Sequence, residues 1–92
     1  MKNIYAIRDL KTNYGNPVCD MNDESAKRGF MMAVEYGQNE LSKMPQDFEL
    51  VKIGTFDEDT GEIVPCMMEI IITGFECFQI INSRKEILNA EE

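Results

Sequence analysis

The strongest hydrophobic pattern in the chain runs from Phe48 to Pro65, FELVKIGTFDEDTGEIVP. Side chains alternate across an extended backbone, so Phe48, Leu50, Gly54 and Phe56 share one side while Val51, Ile53 and Thr55 share the other. Both sides are largely apolar. That predicts a strand covered twice, by a helix on one face and by a second subunit on the other. Asp57 to Glu62 supplies the turn, because Asp bonds to nearby backbone amides and Gly61 accepts positive φ without steric cost. Ile63 and Val64 begin the return strand, and Pro65, which has no amide to donate, predicts an edge position, a bulge or an interruption there.

Residues 2 to 9 carry a second β pattern around Ile4-Tyr5-Ala6-Ile7 and read as a first strand. Leu10 to Met21 holds Asn13, Gly15, Asn16 and Pro17, so it reads as a loop or short irregular extension pinned by Val18 and Cys19. The period then changes. Ala26, Phe30, Ala33, Val34 and Gly37 form one helical stripe, with Lys27, Arg28 and Glu35 off it. Asn22 is a good N-cap, and Asp23 and Glu24 place negative charge on the first turn, where the helix dipole favours it. The prediction is a helix over 23 to 36, stopped by Gly37 in the left-handed conformation. Gln38 to Asp47 is a polar connection anchored by Leu41 and Met44, and Pro45 discourages a helix from running through it.

Cys66 to Thr73, with Ile70-Ile71-Ile72, predicts a third or continued strand that Gly74 breaks. Two readings compete beyond it. Phe75, Cys77 and Ile81 fit alternation, whereas Phe78, Ile81, Lys85 and Leu88 fit a helix. The extended reading is favoured across Phe75 to Ile81, with a short helix closing the chain behind a Ser83/Glu86 capping box. The expected fold is therefore α+β in a single domain, residues 1-92: a small antiparallel sheet of three to four strands, one main helix packed on one face, and a short C-terminal helix.

Composition narrows the chemistry. Histidine is absent, which removes Cys-His and Ser-His nucleophile activation and every His-based zinc site. No pair of carboxylates or lysines is singled out for acid-base work, so the expectation is a protein that is not an enzyme and uses no metal or cofactor. The acidic turn is no EF-hand: counted from Asp57, the Gly arrives one position early and the twelfth residue is Met68, not Glu. Cys19, Cys66 and Cys77 are odd in number and lack Cys-x-x-Cys spacing, which predicts three reduced, partly buried thiols. Met31 and Met32 flank the helical stripe and read as core or subunit contact. No run of about 18 apolar residues exists to span a membrane, and no charged-then-apolar leader opens the chain, so it reads as cytosolic.

The net charge of −8 is unevenly placed. Through Tyr36, five cations match five acids; from Gly37 onward Lys43, Lys52, Arg84 and Lys85 face twelve acids. The back half repels phosphate, while the neutral front leaves nucleic-acid contact open. A chain this short buries a modest core, and its hairpin and Ile70-Ile71-Ile72 offer more apolar surface than one helix covers, so a homodimer or higher homo-oligomer is expected.

Three ordered stretches resemble one small family. They are Tyr5-Ala6-Ile7-Arg8-Asp9-Leu10-Lys11, then Asn22-Asp23 with Ala26, Arg28 and Phe30, then Pro45-Gln46-Asp47-Phe48-Glu49-Leu50 running into Ile53-Gly54-Thr55-Phe56-Asp57-Glu58-Asp59-Thr60-Gly61. The resemblance is to the nonstructural protein of gokushovirus-type microviruses (Microviridae), tailless phages with circular single-stranded DNA. It spans Met1 to Pro65, departs at Pro17-Val18, where the family has a Pro-Phe-type pair, and gives Cys66 to Glu92 no support. It implies a noncapsid protein of the host cytoplasm, labelled as DNA-binding and associated with single-strand synthesis or packaging, and it carries over no catalytic residue.

Two functions follow. In the first, the protein is an accessory factor of phage DNA replication that touches single-stranded DNA. An aromatic ring beside cations stacks a base and neutralises its phosphate, which makes Tyr5, Arg8, Lys11 and Tyr14, with Lys27 and Arg28 on the helix, the candidate site. In the second, it is an acidic protein-protein interaction module that meets a phage replication protein or a host protein without touching DNA, with Asp57, Glu58 and Asp59 as its obvious residues.

Overall fold

The alternation seen in the first strand and the hairpin resolves into one sheet face that carries the core. The computed structural model describes residues 1–90. Its elements in chain order are β1 (Lys2–Asp9), β2 (Val18–Asp20), α1 (Asp23–Tyr36), α2 (Glu40–Lys43), a 3-10 turn (Pro45–Asp47), β3 (Phe48–Phe56), β4 (Ile63–Thr73) and α3 (Gly74–Ala90). The strands form one antiparallel sheet in the order β2-β1-β3-β4. Tyr5, Leu50 and Ile72 face the helices and join Ala26, Phe30 and Val34 of α1, Leu41 of α2, and Cys77 and Ile81 of α3 in a single apolar cluster. The fold is α+β with the main helix on one face, as the pattern predicts.

α1 begins and ends where its signals lie. The Asn22 side chain accepts a hydrogen bond from the Ser25 amide, and Asp23 and Glu24 occupy the first turn. Gly37 ends the helix in an extended conformation (φ −67°, ψ 160°), not the left-handed one expected. The Gln38 to Asp47 connection folds into α2 and the 3-10 turn; Leu41 is its buried anchor, whereas Met44 is exposed. Val18 and Cys19 pin the preceding loop by pairing with Tyr5 and Ile4, making β2 a short fourth strand.

The segment after Gly74 departs from the expected extended stretch. Phe75 to Ile81 is helical, and Ser83 lies inside the same helix, not at its start. The cap is Thr73: its hydroxyl accepts from the Glu76 amide at 3.1 Å and donates to the Glu76 carboxylate at 3.1 Å. Cys77 and Ile81, one turn apart, are both buried, so the apolar pair that fits alternation is spent on a helical stripe. A Cβ at Gly74 would overlap the Pro45 carbonyl oxygen, so only glycine lets α3 start against the 3-10 turn. Of the thiols, Cys77 alone is buried, while Cys19 and Cys66 are exposed.

The hairpin is not regular. Ile4 pairs with Gly54 and Tyr5 with Lys52, so Ile53 is an extra residue on β3. Across the other ladder, Lys52 pairs with Glu69 and Gly54 with Pro65, leaving Cys66, Met67 and Met68 opposite Ile53. A bulge of this kind reverses the in-out alternation beyond it. Gly54 therefore lies on the Ile4 side of the sheet, opposite the Leu50 side that simple alternation assigns it. A Cβ there would stand 2.7 Å from the Val64 carbonyl oxygen and 3.3 Å from the Pro65 Cα. Pro65 sits at the edge and beside a bulge, as its missing amide predicts.

The two helix-contact glycines give opposite tests. Gly29 lies inside α1, and a Cβ there would meet nothing within 4 Å. Gly29→Ala is expected to stabilise the protein by about 0.5–1 kcal/mol, and Gly74→Ala to destabilise it by about 1–3 kcal/mol through overlap with backbone, both read from urea unfolding midpoints.

Candidate functional site

The six residues nominated for nucleic-acid contact do not form one surface. Tyr5 is fully buried in the core wall. Its hydroxyl donates to the Asp23 carboxylate at 2.6 Å and accepts from the Asn3 amide at 3.0 Å, tying β1 to the first residue of α1. Burial, reinforced by the Asp23 carboxylate, pushes the phenol up to about 12. A ring so enclosed has no face for a base. Its role was not readable from sequence, because nothing local in β1 announces a partner in α1.

Arg8 and Tyr14 come together at the end of β1, while Lys11 lines a separate hollow with Asp9, Glu40 and Asp47. Arg8 points to the side of the sheet away from the helices, pairing in register with Glu49, and its Nη1 donates to Glu49 Oε1 at 3.2 Å. Glu49 is 5% exposed, so this guanidinium neutralises a buried carboxylate. The same guanidinium lies over the Tyr14 ring at 5.5 Å from its centre, and Tyr14 bridges to Arg8 through the backbone. Lys11 is exposed and makes no ion pair among the described residues; its backbone amide donates to Asp9 Oδ1 at 2.9 Å.

Lys27 and Arg28 stand on α1, on the opposite side of the sheet from Arg8. Lys27 pairs with Glu24 at 3.4 Å. Both line a groove of about 640 Å³ between α1 and α3. Met31 packs its floor against the core, while Met32 and Tyr36 stand exposed on one wall and Ile80 on the other. Across it Arg84 donates to Glu35 Oε2 at 3.0 Å, joining the two helices. Met31 and Met32 read from sequence as core or subunit contact, and the groove beside them has a second wall only because Phe75 to Ile81 is helical. A second, apolar hollow of about 330 Å³ lies between β1, the loop at Gly15 and Asn16, and Phe30 of α1. Among the described residues, no cluster of three or more carboxylates or thiols could hold a metal ion, and no helix is long and apolar enough to cross a membrane.

A family model described as Phage ORF5 protein matches residues 2–77. The chain belongs to the Phage ORF5 protein family. It is a phage protein, and the match runs past Pro65 through β4 into the first turn of α3, so the return strand and Thr73 lie within the matched residues. No curated protein and no solved structure matches the chain. The family description assigns no ligand to the Arg8 cluster or to the groove.

Two measurements check this geometry. Arg8→Ala strands Glu49 in the sheet and is expected to cost about 1–3 kcal/mol; Arg8→Ala with Glu49→Ala together should cost less than the sum, as a double-mutant cycle in urea will read. The phenol of Tyr5 ordinarily titrates near 10 in an unfolded chain, so its folded preference for the proton is fully present below that pH and is lost as pH rises toward 12. The buried Cys77 thiol, pushed up to about 11 by burial, acts in the same direction from about 9 upward. Stability should fall between about pH 9 and 12, and Tyr5→Phe should make that fall shallower.

Proposed function

We propose that this Phage ORF5 protein is a nonstructural accessory factor of a single-stranded-DNA microvirus, acting in genome replication by binding another protein and not as an enzyme. The docking site is the groove between α1 and α3, and its ligand is an amphipathic segment of the phage replication protein or of a host protein. The observation that carries this reading is the exposure of Met32 and Tyr36 beside Ile80 in a groove where Lys27 and Arg84 are already paired, with Glu24 and Glu35. Flexible Met side chains adapt to apolar partners, and a groove between two helices receives a helical segment through its apolar face. That pairing matters, because a partner then gains contact without having to break up an uncompensated charge cluster.

A second reading keeps single-stranded DNA as ligand of Arg8, Lys11 and Tyr14. It is favoured by the cation-aromatic pair itself and by the exposed Lys11. It is weakened by Glu49, which occupies the guanidinium, and by the burial of Tyr5.

The readings separate in one pair of assays. Under the first, the purified protein captures the phage replication protein or a single host protein; Met32→Glu with Tyr36→Ser lowers that affinity by about tenfold or more, and labelled single-stranded DNA fails to bind at about 50 mM salt. DNA binding that weakens steeply as salt rises and drops with Lys11→Ala, without any captured protein, contradicts the groove and supports the DNA surface.

A further inference from the structure

β4 is an edge strand of eleven residues, about 36 Å of chain. No element of the described fold pairs with its outer side. Edges of that length are normally blunted by charge, covered by another element or kept short. Here the strand holds one charged residue, Glu69, which lies in register with Lys52 on β3. Its apolar residues are instead displayed: Met67 is 92% exposed, and Ile63, Val64 and Ile70 are each about half exposed or more. The register places Ile63, opposite Phe56 and Lys2, and Ile70, opposite Val51 and Ala6, on the same side of the sheet, the side away from the helices. The bulge at Cys66 to Met68 brings them to that common side although seven positions separate them.

We infer that a second copy of this chain seats on this edge, the two β4 strands lying antiparallel about a two-fold axis next to Cys66 and Met67, with Ile63 of each copy meeting Ile70 of the other. An edge that repeats the same apolar residue at equal distance on either side of its midpoint is self-complementary, which is what an isologous contact requires. Pro65, the bulge at Cys66 to Met68 and a further extra residue, Ile71, between the Leu50–Ile72 and Val51–Ile70 pairs limit the backbone ladder, so side chains carry much of the contact.

Charge selects the same occupant and the same direction. The surplus acid of the hairpin sits at its tip, Asp57, Asp59 and Glu62, beside Glu58, which Lys2 and the amino terminus hold. A parallel arrangement would stack the two tips together, whereas the antiparallel one sends each tip to the base of the partner's hairpin. That base offers Lys43 in an apolar hollow lined by Phe75, Phe78 and Pro45. A basic partner of another kind would be drawn to the acidic tip and would find along the strand only Glu69, which lies in register with Lys52. The inference is independent of the groove between α1 and α3, which lies on the helix side.

Two natural thiols supply the test. Cys66 stands beside the proposed axis, and Cys19 stands at the other edge of the sheet, on β2; both are exposed. Across an antiparallel edge, equivalent Cα atoms near the axis come within the span a disulfide bridges, about 4.4–6.8 Å. The full chain is expected to sediment as a dimer at micromolar concentration and, under mild oxidation, to form a covalent dimer that Cys66→Ser abolishes and Cys19→Ser does not. Ile63→Lys with Ile70→Lys should give a monomer with an unchanged far-UV circular dichroism spectrum. A monomeric mass for the unaltered chain at about 100 µM overturns the inference, as does a dimer whose cross-link survives Cys66→Ser or whose mass survives the double lysine variant.

Discussion

The offset at Ile53 and Gly54 is the constraint on which the rest of the structure depends. One extra residue on β3 relative to β1, and a wider bulge on β4, divide the hairpin into two parts that serve different ends. The inner part, Phe48 to Lys52 with Glu69 to Thr73, supplies Leu50 and Ile72 to the wall on which all three helices pack. The outer part, with its alternation reversed, carries Ile63, Val64 and Met67 out to solvent. The close approach of Gly54 to Val64 and Pro65 makes the offset possible, because any side chain there would strike backbone. The result is an elongated molecule, 53 × 28 × 22 Å, whose core is confined to one end of its longest element.

That division also decides what the polar residues do. Among the described residues, four of the nine lysines and arginines are in ion pairs inside the molecule. Lys2 and the amino terminus hold Glu58 at the hairpin tip, Arg8 neutralises Glu49, and Arg84 ties α3 to Glu35 of α1. Of the five front-half cations, Lys2 and Arg8 are thus taken up by acids of the back half and Lys27 by Glu24 beside it, which leaves Lys11 and Arg28 without an ion pair among the described residues. Exposed ion pairs contribute little individually, but Arg8 with Glu49 is different in kind, because the carboxylate is buried and its removal from water has to be offset. Two surfaces with exposed apolar side chains remain: the groove between α1 and α3, and the edge of β4.

Local signals made some of this legible and non-local ones hid the rest. α1 could be placed to the residue because Asn22, the acidic first turn and the Ala26-Phe30-Val34 stripe agree with one another. The hairpin, its turn at Gly61 and the edge position of Pro65 were legible for the same reason. α3 was not, since Phe75, Cys77 and Ile81 satisfy two periods at once, and Thr73, the residue that caps it, also ends the strong β run of Ile70-Ile71-Ile72. β2 is three residues long and exists only through its pairing with β1. The candidate site fared likewise. Arg8 and Tyr14 are close in sequence and close in space, but the buried partner of Arg8 lies on another strand, and Tyr5 gives its hydroxyl to the start of a helix eighteen residues away.

The central claim is that the outer edge of β4 is a contact surface and not a solvent-facing rim. Amide hydrogen exchange along β4, followed at several protein concentrations, tests it most directly. Amides of β4 that are not bonded to β3 should exchange more slowly as concentration rises, while those of β1 and α1 stay unchanged. Exchange along β4 that is equally fast in dilute and concentrated solution would contradict the account.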